Sequence, residues 1–141
     1  MKITIIIEDS NNEVEILKEE TVKKEAGPIF SSYARFFDES CPGWSNDSEA
    51  NLTFLKMQEQ YATEKLRAQG YLFLNDVYDM LGMPRTKAGQ VVGWIYDENN
   101  PLGDNRVDFG IYDECNSEFV NGYKNIALLD CNVDGNILGK F

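Results

Sequence analysis

Near its C-terminal end the chain reads Asp130-x-Asn132-x-Asp134-Gly135-x-Ile137, oxygen-bearing side chains at alternate positions followed by a glycine and an aliphatic residue. That is how a calcium-binding EF-hand loop opens: hard oxygen ligands, a sharp turn, and an apolar anchor. Such a loop is closed by a bidentate glutamate at its twelfth position, and here that position is Phe141. The same letters also suit a β-hairpin, in which Asp134-Gly135 forms the two-residue turn and Asp130 and Asn132 lie on its polar face. The incomplete ligand set favours the hairpin. A divalent cation at Asp130, Asn132 and Asp134 is the competing expectation.

No histidine occurs anywhere in the chain. This removes Ser-His-Asp and Cys-His catalysis, histidine metal sites and the commonest general base. Carboxylates and thiols remain. Asp97-Glu98, Asp104, Asp108 and Asp113-Glu114 place acids close together in sequence, the raw material of glycosidases and of metal-assisted hydrolysis. In a chain with 24 acidic residues, however, such neighbours arise without any shared site, and the simpler expectation is solvated surface. Asp108-Phe109-Gly110 spells the metal-binding triplet of protein kinases, but the glycine-rich loop, strand lysine and catalytic loop of a kinase have no counterpart. Cys41 and Cys131 have no basic neighbour in sequence to stabilise a thiolate, so spectator thiols are expected. The reading is of no enzyme, no catalytic residue, no cofactor and no bound metal.

The net charge of −11 bears on partners. It repels phosphate backbones and anionic membranes, which argues against direct nucleic-acid binding unless the basic residues gather on one face. Arg85-Thr86-Lys87 is a compact basic group, too small to act as a phosphate-binding surface. The composition calls instead for a protein partner with a basic surface. One variant of this idea is an inhibitor that imitates DNA. Glu13 and Glu15, on one face of a strand, would stand about 7 Å apart, comparable to successive phosphates. The three cysteines, Cys41, Cys115 and Cys131, form neither a disulfide framework nor a zinc pattern. The apolar run over residues 3–7 is too short for a signal peptide or a membrane span, so a cytoplasmic location is expected.

These groups must be positioned by ordinary elements. Ile3, Ile5 and Ile7, then Val14 and Ile16, predict an N-terminal β-hairpin. Phe30, Tyr33, Phe36 and Phe37 fall at helical spacing after Pro28. Leu52, Leu55, Ala62 and Leu66 mark the buried stripe of a long helix over 49–69, started near Ser48 and stopped by Gly70. Asn75 reads as the N-cap of a short helix ended by Gly82. Strands are predicted over 91–96, 107–111 and 126–129. The fold class is α+β: an N-terminal hairpin, two or three helices and a C-terminal antiparallel sheet, in a single domain spanning 1–141.

The second half contains Asn100-Pro101-Leu102-Gly103-Asp104-Asn105, Val107-Asp108-Phe109-Gly110-Ile111, Phe119-Val120-Asn121-Gly122 and Leu128-Leu129-Asp130-Cys131-Asn132-Val133-Asp134-Gly135. Over residues 71–138 these words resemble a family of uncharacterised proteins from prophages and integrative elements of Firmicute bacteria. The resemblance implies a mobile-element origin and carries no functional residue with it. Together with the charge, it leads to the expectation of a non-catalytic protein that binds another protein. A DNA-mimicking counter-defence inhibitor and a carboxylate- or divalent-metal-dependent enzyme are the alternatives.

Overall fold

Asp47 begins the longest element. Its Oδ1 accepts from the backbone N–H groups of Glu49 and Ala50 at 3.0 and 3.3 Å, satisfying two donors that a helix start leaves open. Helix α1 runs from Ser48–Gln69 and ends at Gly70, whose φ of +87° is a conformation that side-chain-bearing residues resist. The computed structural model describes residues 30–141, of which Arg35–Phe141 form one compact unit. The predicted N-terminal hairpin and the Glu13–Glu15 pair lie outside the described residues.

Strand β1 (Arg35–Phe37) precedes α1; strand β2 (Tyr71–Phe73), helix α2 (Leu74–Leu81) and strand β3 (Val92–Ile95) follow it. A short helix α3 (Ser117–Val120), strand β4 (Ala127–Leu129) and strand β5 (Gly135–Asn136) complete the unit. The strands form two antiparallel sheets, β1–β4 and β2–β3–β5. This is an α+β fold with a C-terminal antiparallel sheet. Strand β3 is central and buried along its whole length, pairing Leu72 with Trp94 and Gly93 with both Phe73 and Gly135. A side chain at Gly93 would run into the backbone of Leu72 and Phe73, so the close approach of β2 and β3 requires glycine there. Trp94, Tyr78, Phe37, Phe109 and Phe119 are the largest side chains in the core. Among the described residues, no helix is long and apolar enough to cross a membrane.

Several expectations are corrected. The aromatic stretch 30–37 is not a helix. Its end is β1, where Phe36 is 58% exposed while Phe37 is fully buried and stacks on Phe54 at 5.6 Å. Period-two burial decides this segment because pairing with β4 was available to it. In α1 the buried stripe includes Asn51 in place of Leu52. Asn75 does not cap α2. The helix starts at Leu74, with Asp76 accepting from the Phe73 N–H at 3.1 Å, while Asn75 is buried and bonds both backbone groups of Thr86.

The predicted strand over 107–111 is absent, although Val107, Phe109 and Ile111 are all buried. Its N–H groups are satisfied by side chains. Thr63 Oγ1 takes that of Val107, Asn132 Oδ1 that of Asp108, and Glu59 Oε2 that of Phe109. On the other side, Phe109 and Asp108 accept from the N–H groups of Asp130 and Asn132. Alternating burial was correctly legible; the ladder was replaced by side-chain partners.

The hairpin expected over Asp130–Gly135 is also overturned. β4 pairs with β1 and β5 with β3, so residues 130–134 carry the chain from one sheet to the other. The Asn132 amide and the Asp134 carboxylate there have structural work. Asn132 accepts from Trp94 Nε1 and Asp108 N at 2.8 Å each and donates to Asp104 and to the Arg106 carbonyl. Asp134 Oδ2 takes the Ile95 N–H at 3.0 Å, beyond the two β3 residues, Val92 and Gly93, that β5 pairs. Among the described residues, no group of three or more acids or cysteines is placed to share a metal ion.

Candidate functional site

Of the acids singled out from the sequence, Asp108 and Asp113 come near each other around Gly110, but among the described residues no three are placed to share a metal ion. Asp97 folds back on the N–H groups of Asn99 and Asn100, Glu98 takes the Tyr96 hydroxyl, and Asp104 takes the Asn132 amide. Asp108 holds the Gly110 N–H with one oxygen and Arg106 with the other. Glu114 lies in an exposed turn. Asp113 sits beside Gly110, its carboxyl pushed up first by burial and then by Asp108 and Asp130. The thiols are not activated. Burial holds Cys131 far above its ordinary value, with Asp130 adding to the effect. Partial burial and then Asp113 push Cys115 up, and Cys41 is buried near the Phe36 carbonyl. A nucleophilic cysteine needs the opposite environment.

Two residues of the basic group Arg85-Thr86-Lys87 are likewise engaged. Arg85 is paired with Asp79, and Thr86 with Asn75 and Gly89. Cations gather elsewhere. A groove of about 570 Å³ runs along α1, with Lys56, Arg67 and Arg106 on its walls, Val107 in its lining and Met57 and Tyr112 at its rim. Lys56 and Arg67 are eleven positions apart, which returns an α-helix to within about 20° of the same face. The opposite wall is the irregular segment clamped to α1 by Glu59 and Thr63, and that clamp is what brings Arg106 and Tyr112 to the helix. Lys56 Nζ lies 6.0 Å from the Tyr112 ring. Arg106 bridges to Asp108 at 3.1 Å, an exposed pair of little energetic weight that leaves the guanidinium exchangeable.

Glu59 is the acid of this groove. Burial raises its pKa most, Asp108 raises it further, and the Phe109 N–H, Arg106 and Lys56 oppose the rise. Asp134 is also pushed up, again chiefly by burial. For an acid raised in the folded state, the unfolded chain loses its proton first as pH rises, so stability falls across the interval above the ordinary carboxylate value. Exposed Asp38 and Asp79, lowered by Ser40 and Arg85, act in the opposite sense at lower pH. The melting temperature is therefore expected to climb on acidification from neutrality and to turn down only below the ordinary carboxylate range. Glu59→Gln keeps an acceptor for Phe109 and should flatten the upper arm. Melts at fixed ionic strength check this, and a variant curve parallel to that of the parent refutes it.

A family model covers residues 3–141. The chain belongs to the family of unknown function DUF6353. Kinship with DUF6353 thus takes in the first half as well, which the resemblance over 71–138 did not reach. No curated protein and no solved structure matches the chain significantly. For this DUF6353 chain, the groove residues were missed in the sequence because overall acidity drew attention to carboxylates. The eleven-residue spacing of Lys56 and Arg67 was a readable signal; the arrival of Arg106 and Tyr112 was not.

Proposed function

We propose that the protein is a non-catalytic binding protein of a bacterial mobile element, acting by docking another protein. The observation that carries this reading is the state of the groups capable of chemistry. Asp97, Glu98, Asp104 and Asp108 have oxygens engaged in holding turns and loops, and the thiols of Cys115 and Cys131 are kept protonated. The charge of −11 supports a partner with a basic surface, for which this exterior offers attraction and orientation. The resemblance of the second-half words to prophage and integrative-element proteins supports the setting.

Two measurements test this. A thermal melt with millimolar calcium or magnesium is expected to match one without, since an ion that binds the native state must raise the midpoint. Affinity capture from a bacterial lysate should return a protein that raised salt releases. A clear midpoint rise with either cation would favour the metal-dependent alternative. Turnover of a substrate that disappears when one carboxylate or thiol is replaced would overturn the proposal outright.

A further inference from the structure

We infer that the groove along α1 receives a short, extended, acidic segment of a protein partner, with apolar side chains among its carboxylates. This deepens the protein-binding reading and rests on it, the acidic segment being a local feature of a partner whose wider surface is basic. The first support is charge complementarity against the trend of the molecule. On a chain of net charge −11, this groove brings together Lys56, Arg67 and Arg106 against one lining acid, Glu59, with Asp108 paired to Arg106 beside it. Glu59 turns an oxygen inward to the Phe109 N–H, and the Arg106–Asp108 pair is exposed and exchangeable, so the groove keeps an excess of cations.

Shape and surface chemistry give the second support. Lys56 and Arg67 stand about 16 Å apart along the helix axis, a span that an extended peptide covers in about five residues. Between them the groove offers Met57, 45% exposed, and Tyr112, 62% exposed. A flexible thioether and an amphipathic ring accept varied apolar side chains, as recognition surfaces commonly do. The groove is open and elongated, which suits a segment of chain. A nucleic-acid strand fits less well. Asp108, Asp113 and Asp130 crowd the region around Gly110, at one end of the same segment, and would repel a phosphate rail extending past the groove.

The test is a fluorescence-anisotropy titration of the full chain. The probe is a short labelled peptide of glutamates around a central Leu-Phe pair; a lysine-substituted version and an oligo-thymidine strand serve as comparisons. The acidic peptide should bind, weaken with salt, and lose about tenfold affinity for each reversal in Lys56→Glu and Arg106→Glu. Lys65→Glu, on the opposite face of α1, should change nothing. The milder Lys56→Gln and Arg106→Gln variants guard against misfolding, with an unchanged melt as the criterion. Absence of acidic-peptide binding, binding indifferent to the reversals, or preference for the lysine peptide or the oligonucleotide would overturn the inference. If a lysate partner is captured equally by parent and reversed variants, the groove assignment falls while protein binding stands. If the parent captures none, both fall.

Discussion

Asn116→Asp is expected to destabilise the protein by about 3–5 kcal/mol. Asn116 is 2% exposed and joins three segments. Its Nδ2 donates to the Gly110 and Leu128 carbonyls at 2.9 and 2.8 Å, and its Oδ1 accepts from the Leu128 N–H at 2.8 Å. An aspartate would set a carboxylate oxygen against two carbonyls in a buried site, or take up a proton and still leave one carbonyl without its donor. The substitution removes almost no volume, so cavity formation does not contribute. Equilibrium urea unfolding measures the loss, which should shrink on acidification as the introduced acid becomes neutral. A variant within about 1 kcal/mol of the parent at neutral pH would mean the buried network carries little weight.

Trp94→Ala should cost about 3–5 kcal/mol, and for a different reason. Trp94 is fully buried in the central strand, opposite Leu72. Truncation of this fully buried indole opens a cavity in the core. It also strips Asn132 of the indole N–H, one of two donors to its Oδ1. Trp94→Phe separates the two effects: it keeps most of the volume and loses only the hydrogen bond, so about 1 kcal/mol beyond the change in packing is expected. Urea midpoints for the pair, read with unchanged denaturant slope, provide the comparison. Equal losses in both variants would show that the indole hydrogen bond, and not the filled volume, dominates.

These two effects identify how the fold is held. Short strands supply few ladder bonds, and buried asparagines supply the rest. Asn51 ties Ser45 and Asn125, Asn75 ties Thr86, and Asn116 ties Gly110 and Leu128. A primary amide donates and accepts at once, so it can take the place of a neighbouring strand where the backbone turns irregular. Asn132 does the same between Trp94, Asp108, Asp104 and Arg106.

What the residues determined alone was whatever depends on local pattern. The stripe Leu55, Ala62, Leu66 and the stop at Gly70 set α1, because a 3.6-residue period and a positive φ are properties of neighbouring positions. The apolar run around Trp94 set β3 in the same way, and the class α+β followed. Tertiary structure decided the rest. Whether Asp130, Asn132 and Asp134 faced an ion, a hairpin or the loops around them depended on which distant strands β4 and β5 would choose. Whether 107–111 formed a ladder depended on Glu59 and Thr63 arriving from α1 to take its N–H groups. The cationic groove has the same origin: half of it is written at helical spacing, and the other half exists only because a distant segment is clamped beside it.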